Sequence, residues 1–120
     1  MARILLADDD AATRDVVQRA LALDGHRVLV TQDGAEALEK LEAEAGSIDL
    51  LISDVQMPGL DGIELVEKGV LVAPALRVIL MSGFAGELGR AQHLKDKIAR
   101  VITKPFTLEQ MRAVVREVLG

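Results

Sequence analysis

Five short apolar runs, separated by longer stretches with helical periodicity, limit the fold of this chain more than any other feature. Ile4–Ala7, Val28–Thr31, Leu50–Ser53, Arg77–Met81 and Ala99–Thr103 are nearly continuous in aliphatic residues rather than alternating with polar ones. A strand of that kind is buried on both faces, as in a parallel sheet covered by helices above and below. The intervening segments supply those helices. Val16, Val17, Ala20, Leu21 and Leu23 share a face of the first, and Met111, Val114, Val115, Val118 and Leu119 recur at helical spacing in the last.

Helix boundaries are marked in the side chains. Asp33 with Glu36, Asp61 with Glu64 and Thr107 with Gln110 read as capping pairs ahead of apolar runs, and Asp10 reads as the cap of the first helix. Gly25 and Gly46 read as stops after the first and second helices. Strand–helix alternation repeated along the chain predicts an α/β fold, a doubly wound five-stranded parallel sheet with helices on both faces. Right-handed crossovers favour the flavodoxin-like strand order 2-1-3-4-5. With 120 residues and no linker, repeat or low-complexity tract, residues 1–120 read as one domain.

Composition removes several classes of function. The formal net charge of −5 disfavours general nucleic-acid binding, because phosphate backbones would be repelled. Phe84 and Phe106 are the whole aromatic content, too little for a stacking platform. The apolar stretches Val70–Leu76 and Val78–Met81 are far too short to cross a bilayer. Asp8, Asp9 and Asp10 follow Met1–Leu6 at once, which is not the pattern of a signal peptide. The absence of Cys leaves no disulfide framework, and a cytoplasmic location is the expectation.

In such a sheet, ligands sit at the carboxyl ends of the strands, near the point where strand order reverses. Asp8 and Asp9 follow the first strand, Asp54 the third, Ser82 the fourth and Lys104 the fifth. Strands 1 and 3 are neighbours in the order 2-1-3-4-5, so Asp8, Asp9 and Asp54 share a pocket. Carboxylates packed together repel, and either raised pKa values or a divalent cation would relieve them. An open, oxygen-only donor set suits Mg²⁺, and the backbone carbonyl of Gln56 can add a neutral ligand. A carboxylate can serve as the nucleophile that forms an aspartyl-phosphate. Phosphoryl transfer then needs alignment and charge neutralisation, for which Lys104 and Ser82 are suited. Asp54, at the end of the central strand and ahead of the Gln56-Met57-Pro58-Gly59 turn, is the acid to which that role falls.

The segments Ile4–Asp10 (ILLADDD), Leu51–Gly62 (LISDVQMPGLDG), Val78–Phe84 (VILMSGF) and Ile102–Phe106 (ITKPF) resemble those of response-regulator receiver domains of the CheY-like superfamily. The resemblance covers the whole chain. It implies that Asp54 is the phosphoacceptor, with Asp9 binding Mg²⁺ directly, Asp8 through water and Gln56 through its carbonyl. It implies that Ser82 is the switch hydroxyl, that Lys104 contacts the phosphoryl oxygens and that Lys104–Pro105 is a cis peptide. The implied donor is a histidine kinase or a phosphotransfer protein, and the implied output is protein contact; the net charge and the short apolar runs point to no direct nucleic-acid or membrane partner. Receivers usually carry Phe or Tyr three residues before the lysine. Val101 stands there in this chain, which removes an aromatic rotamer from the expected relay.

Other residues receive plainer readings. His26 and His93 are expected on the surface, Phe106 under the last helix, and Val70, Leu71 and Val72 beneath a neighbouring helix. Gly83, Gly86 and Gly89 each weaken helix formation by roughly 1 kcal/mol relative to Ala. Gly83–Leu94 is therefore expected to form a thinly packed fourth helix and a mobile signalling surface. A haloacid-dehalogenase-type phosphatase is the main alternative, since Asp8-Asp9-Asp10-Ala11-Ala12 nearly fits its Asp-x-Asp-x-Thr/Val pattern. A flavodoxin-type carrier would need a hydroxyl-rich loop in place of the three carboxylates. A receiver cut from a hybrid kinase is a further alternative, although Met1 and the end at Leu119-Gly120 point to a stand-alone receiver resembling the proteolysis adaptors of alphaproteobacteria.

Overall fold

The computed structural model describes residues 1–120, the side chain of Ala85 excepted. Five strands, β1 (Arg3–Ala7), β2 (Arg27–Thr31), β3 (Leu50–Asp54), β4 (Arg77–Ser82) and β5 (Arg100–Thr103), form one parallel sheet in the order β2-β1-β3-β4-β5. The strand order is the expected one. Four α-helices, α1 (Ala11–Leu23), α2 (Gly34–Glu44), α3 (Gly62–Val72) and α4 (Leu108–Leu119), pack on its faces.

The continuous apolar runs serve two cores at once, because successive strand residues point to opposite faces. Leu5, Leu51, Val78 and Leu80 meet Leu41 of α2 and Leu65 and Val66 of α3. Ile4, Leu6, Ile52 and Ile79 meet Val17 and Leu21 of α1 and Met111 and Val115 of α4. Each fully buried aliphatic side chain contributes about 1.5–3 kcal/mol relative to exposure. All of β3 is buried, so the strand that carries Asp54 is held from both sides.

The caps agree with the sequence at most ends. Asp10, Asp33, Asp61 and Thr107 each accept a hydrogen bond from a first-turn backbone N–H. Gly25, at φ 92°, closes α1 in a Schellman arrangement, with the N–H groups of Gly25 and His26 donating to the carbonyls of Ala22 and Leu21. Gly46 does not act as a left-handed stop: α2 ends at Glu44, and its cap residue Ala45 remains right-handed. Leu71 also departs from expectation. It is 80% exposed at the end of α3, because only Val70 of that trio packs onto the core.

The segment after β4 is the largest difference. Residues Ala85–Leu94 wind as a 3₁₀ helix rather than an α-helix. Leu88, Ala91 and Leu94 repeat every three residues, so a 3₁₀ winding stacks them on one line toward the core, where an α-helix would spread them over an arc of about 120° on the same side. With glycine at three positions, little intrinsic α-helical preference opposes that winding. Two contacts tie this segment to α3: an ion pair of Arg90 with the cap residue Asp61 at 2.9 Å, and a hydrogen bond between exposed His93 and Glu67 at 2.6 Å.

Candidate functional site

The parallel register sets the site. Ala7 lies beside Ser53, Asp54 beside Met81, and Ser82 beside Thr103, so the residues at the strand ends converge on one edge of the sheet. There Asp8, Asp9 and Asp54 bring carboxylate oxygens within 4.8 Å of one another. Lys104 Nζ donates to Asp54 Oδ2 at 2.7 Å and lies 3.6 Å from Asp8 Oδ2. These residues, except buried Asp8, border an open pocket of about 900 Å³ that Gln56 and Glu87 also line. The peptide between Lys104 and Pro105 is cis.

Each acid is held differently. Asp8 is fully buried, and its Oδ1 accepts from the Asp10 N–H at 2.9 Å. Its Oδ2 has no hydrogen-bond partner among the described residues. Burial raises the Asp8 pKa above its ordinary value; the Asp10 N–H and Lys104 work against that rise, while Asp54 and Asp9 add to it. Asp9 is exposed to the pocket. Asp10 serves as the α1 cap, accepting from Ala12 N and Thr13 Oγ, at the border of the same pocket. Burial pulls the Lys104 pKa down, but the hydrogen bond and charge of Asp54, then Asp8, outweigh it and hold the ammonium above its usual value.

The backbone around Asp54 is packed as closely as its side chain. Val55 N donates to the Met81 carbonyl and Gly62 N to the Val55 carbonyl. A Cβ on Gly62 would lie 2.1 Å from the Asp54 carbonyl oxygen, so only glycine lets α3 begin against the end of β3. Gly62 is visible in the sequence only as part of a motif, since its role depends on a backbone approach that no side-chain pattern records.

Ser82 ends β4 with its hydroxyl on the side of the 3₁₀ segment. Its buried hydroxyl lies 2.7 Å from the Phe84 carbonyl and 3.1 Å from Glu87 Oε1, and among the described residues it makes no hydrogen bond to Asp54. Glu87 is a site residue that sequence reasoning missed. Its signal is a position three residues after Phe84, the capping-box spacing, hidden because phenylalanine cannot cap. Val101 packs on the β5 side of the first core and borders a surface hollow of about 180 Å³ with Leu88, Ala91 and Ile98.

A buried carboxylate oxygen with no hydrogen-bond partner among the described residues, two further carboxylates within reach and a backbone turn beside them form a hard-oxygen donor set, which fits Mg²⁺. Fold and pocket together therefore define a phosphate-handling signalling domain of the CheY-like class. Residues 4–116 match the response regulator receiver domain family, and the chain belongs to that family. It is 35% identical to the response regulator receiver protein CpdR of Brucella abortus over 99% of this chain and 98% of that one. It is also 35% identical to the sensor kinase CckA of the same organism over 98% of this chain, but it spans only 12% of that longer protein. Among solved structures, the receiver domain of the hybrid histidine kinase CckA superposes with a TM-score of 0.85 at 36% identity, covering 98% of this chain and 99% of that one. A receiver domain protein from Clostridium thermocellum gives a TM-score of 0.89 at 24% identity, covering 99% and 94%, and speaks to the fold.

The chain is thus a phosphoryl-accepting receiver of two-component signalling, and the phosphatase alternative is not favoured. Receivers bind Mg²⁺ at an acidic pocket and interact with histidine kinases or phosphotransfer partners. No helix among the described residues is long and apolar enough to cross a membrane.

Proposed function

We propose that residues 1–120 form a single receiver domain whose phosphoryl acceptor is Asp54. The observation that carries this reading is the 2.7 Å contact of Lys104 Nζ with Asp54 Oδ2, beside the unpartnered Oδ2 of Asp8. Lys104 holds one Asp54 oxygen and fixes the carboxylate plane. With Oδ2 engaged by Lys104, the other oxygen, Oδ1, is the one that attacks. As the new O–P bond forms, the bond between phosphorus and the donor's leaving atom breaks, and its electron pair stays with the donor. The ammonium of Lys104, held in its charged form, lies where negative charge on the phosphoryl oxygens must be balanced. Asp8, Asp9, Asp54 and the Gln56 carbonyl are the groups that would hold Mg²⁺, which when bound supplies further positive charge to those oxygens. Ser82 is the hydroxyl that reports the modified state once it leaves its present partners.

The donor is a phosphorylated histidine kinase or phosphotransfer protein in the cytoplasm. The domain acts as a switch rather than as a turnover enzyme, and its output is a protein contact. Incubation with acetyl phosphate and Mg²⁺, read by intact mass, should add one phosphate to the wild type and none to Asp54→Asn. Chelation of Mg²⁺ should abolish the labelling. An Asp54→Asn protein that still gains a phosphate would overturn the assignment, and sustained hydrolysis of a generic phosphate ester would overturn the switch reading.

A further inference from the structure

One buried carboxylate lies outside the Asp8–Asp54 cluster and takes no part in the chemistry just described. Glu87 is 8% exposed, and its Oε1 accepts from Gly83 N at 2.7 Å and Phe84 N at 3.2 Å and lies 3.1 Å from Ser82 Oγ, all at the end of β4. Two consecutive backbone N–H groups and a hydroxyl aimed at one oxygen make an oxyanion cradle. Glu87 fills that cradle from within the chain. Phe84, at the start of the 3₁₀ segment, has no side chain able to cap it, so the same carboxylate also supplies the turn's missing acceptor.

Glu87, Gly83 and Phe84 line the pocket that holds Asp54 and Lys104. A phosphoryl group entering that pocket would compete for the donors that Glu87 now engages, and it carries charge of the same sign. Ser82 has a single hydroxyl proton. It is committed either to the Phe84 carbonyl or to Glu87, and both lie on the 3₁₀ side.

We infer that Glu87 is a positioning residue that acts through Ser82: its carboxylate holds the Ser82 hydroxyl and the Gly83 N–H away from Asp54, and so sets how readily the phosphorylated state forms. When the phosphoryl group takes those donors, Glu87 loses its hydrogen bonds and the start of the 3₁₀ segment loses its cap. The device rests on the reading that Asp54 is the acceptor. It couples modification to the segment next to α3 without an aromatic at position 101.

Beryllofluoride with Mg²⁺ is the probe. Its binding midpoint is compared in wild type, Glu87→Gln, Ser82→Ala and the double variant. Exchanging a charged acceptor for a neutral one should tighten the wild-type midpoint by roughly tenfold. In the Ser82→Ala background the gain should fall to about threefold or less, because only backbone donors remain to be released. A Glu87 that served stability alone would lower the melting temperature and leave the midpoint unmoved. An unchanged midpoint in Glu87→Gln, or an undiminished gain without the Ser82 hydroxyl, overturns the inference. Should Glu87→Gln fail to fold, Glu87→Asp carries the same comparison, since the shorter carboxylate cannot reach all three groups. The wild type supplies an independent readout: the amide resonances of Gly83 and Phe84 should shift on beryllofluoride binding, and static resonances overturn the idea. A wild type that binds no beryllofluoride would instead refute the acceptor assignment.

Discussion

Two helical segments begin at the same pocket, one after β3 and one after β4, and they are capped in opposite ways. At the start of α3, Asp61 Oδ1 accepts from Glu64 N at 2.9 Å while Asp61 N donates to Glu64 Oε1 at 3.2 Å. That cap closes within the first turn of α3 itself, and Asp61, which borders the pocket, pairs its other oxygen with Arg90. The 3₁₀ segment has no side-chain cap of its own, and Glu87 completes its first turn by engaging the Ser82 hydroxyl and the Gly83 N–H. Packing follows the same division. Helix α3 buries Gly62, Ile63, Leu65, Val66 and Gly69, whereas the 3₁₀ segment places Ala91 and Leu94 fully inside and Leu88 partly. One flank is a fixed wall, and the other is held by donors that the site's own chemistry would claim.

Glycine substitutions should separate the flanks most sharply. Gly62→Ala puts a methyl 2.1 Å from a backbone oxygen that cannot swing aside, and it should cost about 3 kcal/mol in urea unfolding. Gly89→Ala meets nothing within 4 Å and has no left-handed backbone to lose, so it should stabilise by roughly 0.5 kcal/mol. Equal costs at the two positions would erase the distinction between wall and movable flank.

Hydrogen exchange reads the same contrast without mutation. Amides of Leu88–Leu94 should exchange at least about thirtyfold faster than those of Val66–Val70, since few buried apolar contacts protect a segment poorly against local opening. Similar protection on both flanks would show that the Arg90–Asp61 and His93–Glu67 contacts hold the 3₁₀ segment as firmly as a core would.

Much of the fold and the site is legible in the residues alone. Asp8, Asp9, Asp54 and Lys104 follow strands whose apolar runs are unmistakable, and a parallel sheet must bring its strand ends to one edge. Ser82 is legible as a position but not as a set of contacts, because its partners depend on how the chain winds after β4. That winding is 3₁₀ where the sequence pointed to an α-helix. A spacing of three and a spacing of 3.6 differ little over Leu88, Ala91 and Leu94, and the decision falls to tertiary packing. Gly62 and Gly46 show the same limit from two sides. Gly62 is required by a carbonyl brought near in space. Gly46 has the residue type of a helix stop without the role, because α2 ends with no left-handed residue.

The two cap glutamates give a smaller effect of different kind. Glu64→Ala should cost about 1 kcal/mol of stability, the ordinary loss of a cap partner, and leave the beryllofluoride midpoint where it was. Glu87→Ala should move the midpoint. If Glu64→Ala shifts it as well, the α3 cap is part of the switch and the flanks are not distinct.

The smallest effect lies on the opposite face of the sheet and tests whether the contrast is local. Asp24, at the end of α1, receives a paired hydrogen bond from Arg112 of α4. That bond, followed by the charge of Arg112, holds the Asp24 carboxyl below its ordinary value of 3.8, with desolvation opposing. A depressed folded-state pKa means that the stabilising contribution is complete above the unfolded value and disappears as pH falls through the folded one. Wild type should therefore lose stability more steeply than Asp24→Asn as pH is lowered below 3.8, with the two proteins converging once the carboxyl is protonated. Parallel acid limbs would remove the pair from the stability of the fold. Asp24 and Arg112 belong to the α1–α4 side, while α3 and the 3₁₀ segment pack on the other core, so energetic effects should add rather than couple. At neutral pH, Asp24→Asn should change neither the exchange contrast between α3 and Leu88–Leu94 nor the beryllofluoride midpoint. A shift in either would mean that the sheet transmits strain from one face to the other and that the movable flank answers to more than Glu87 and Ser82.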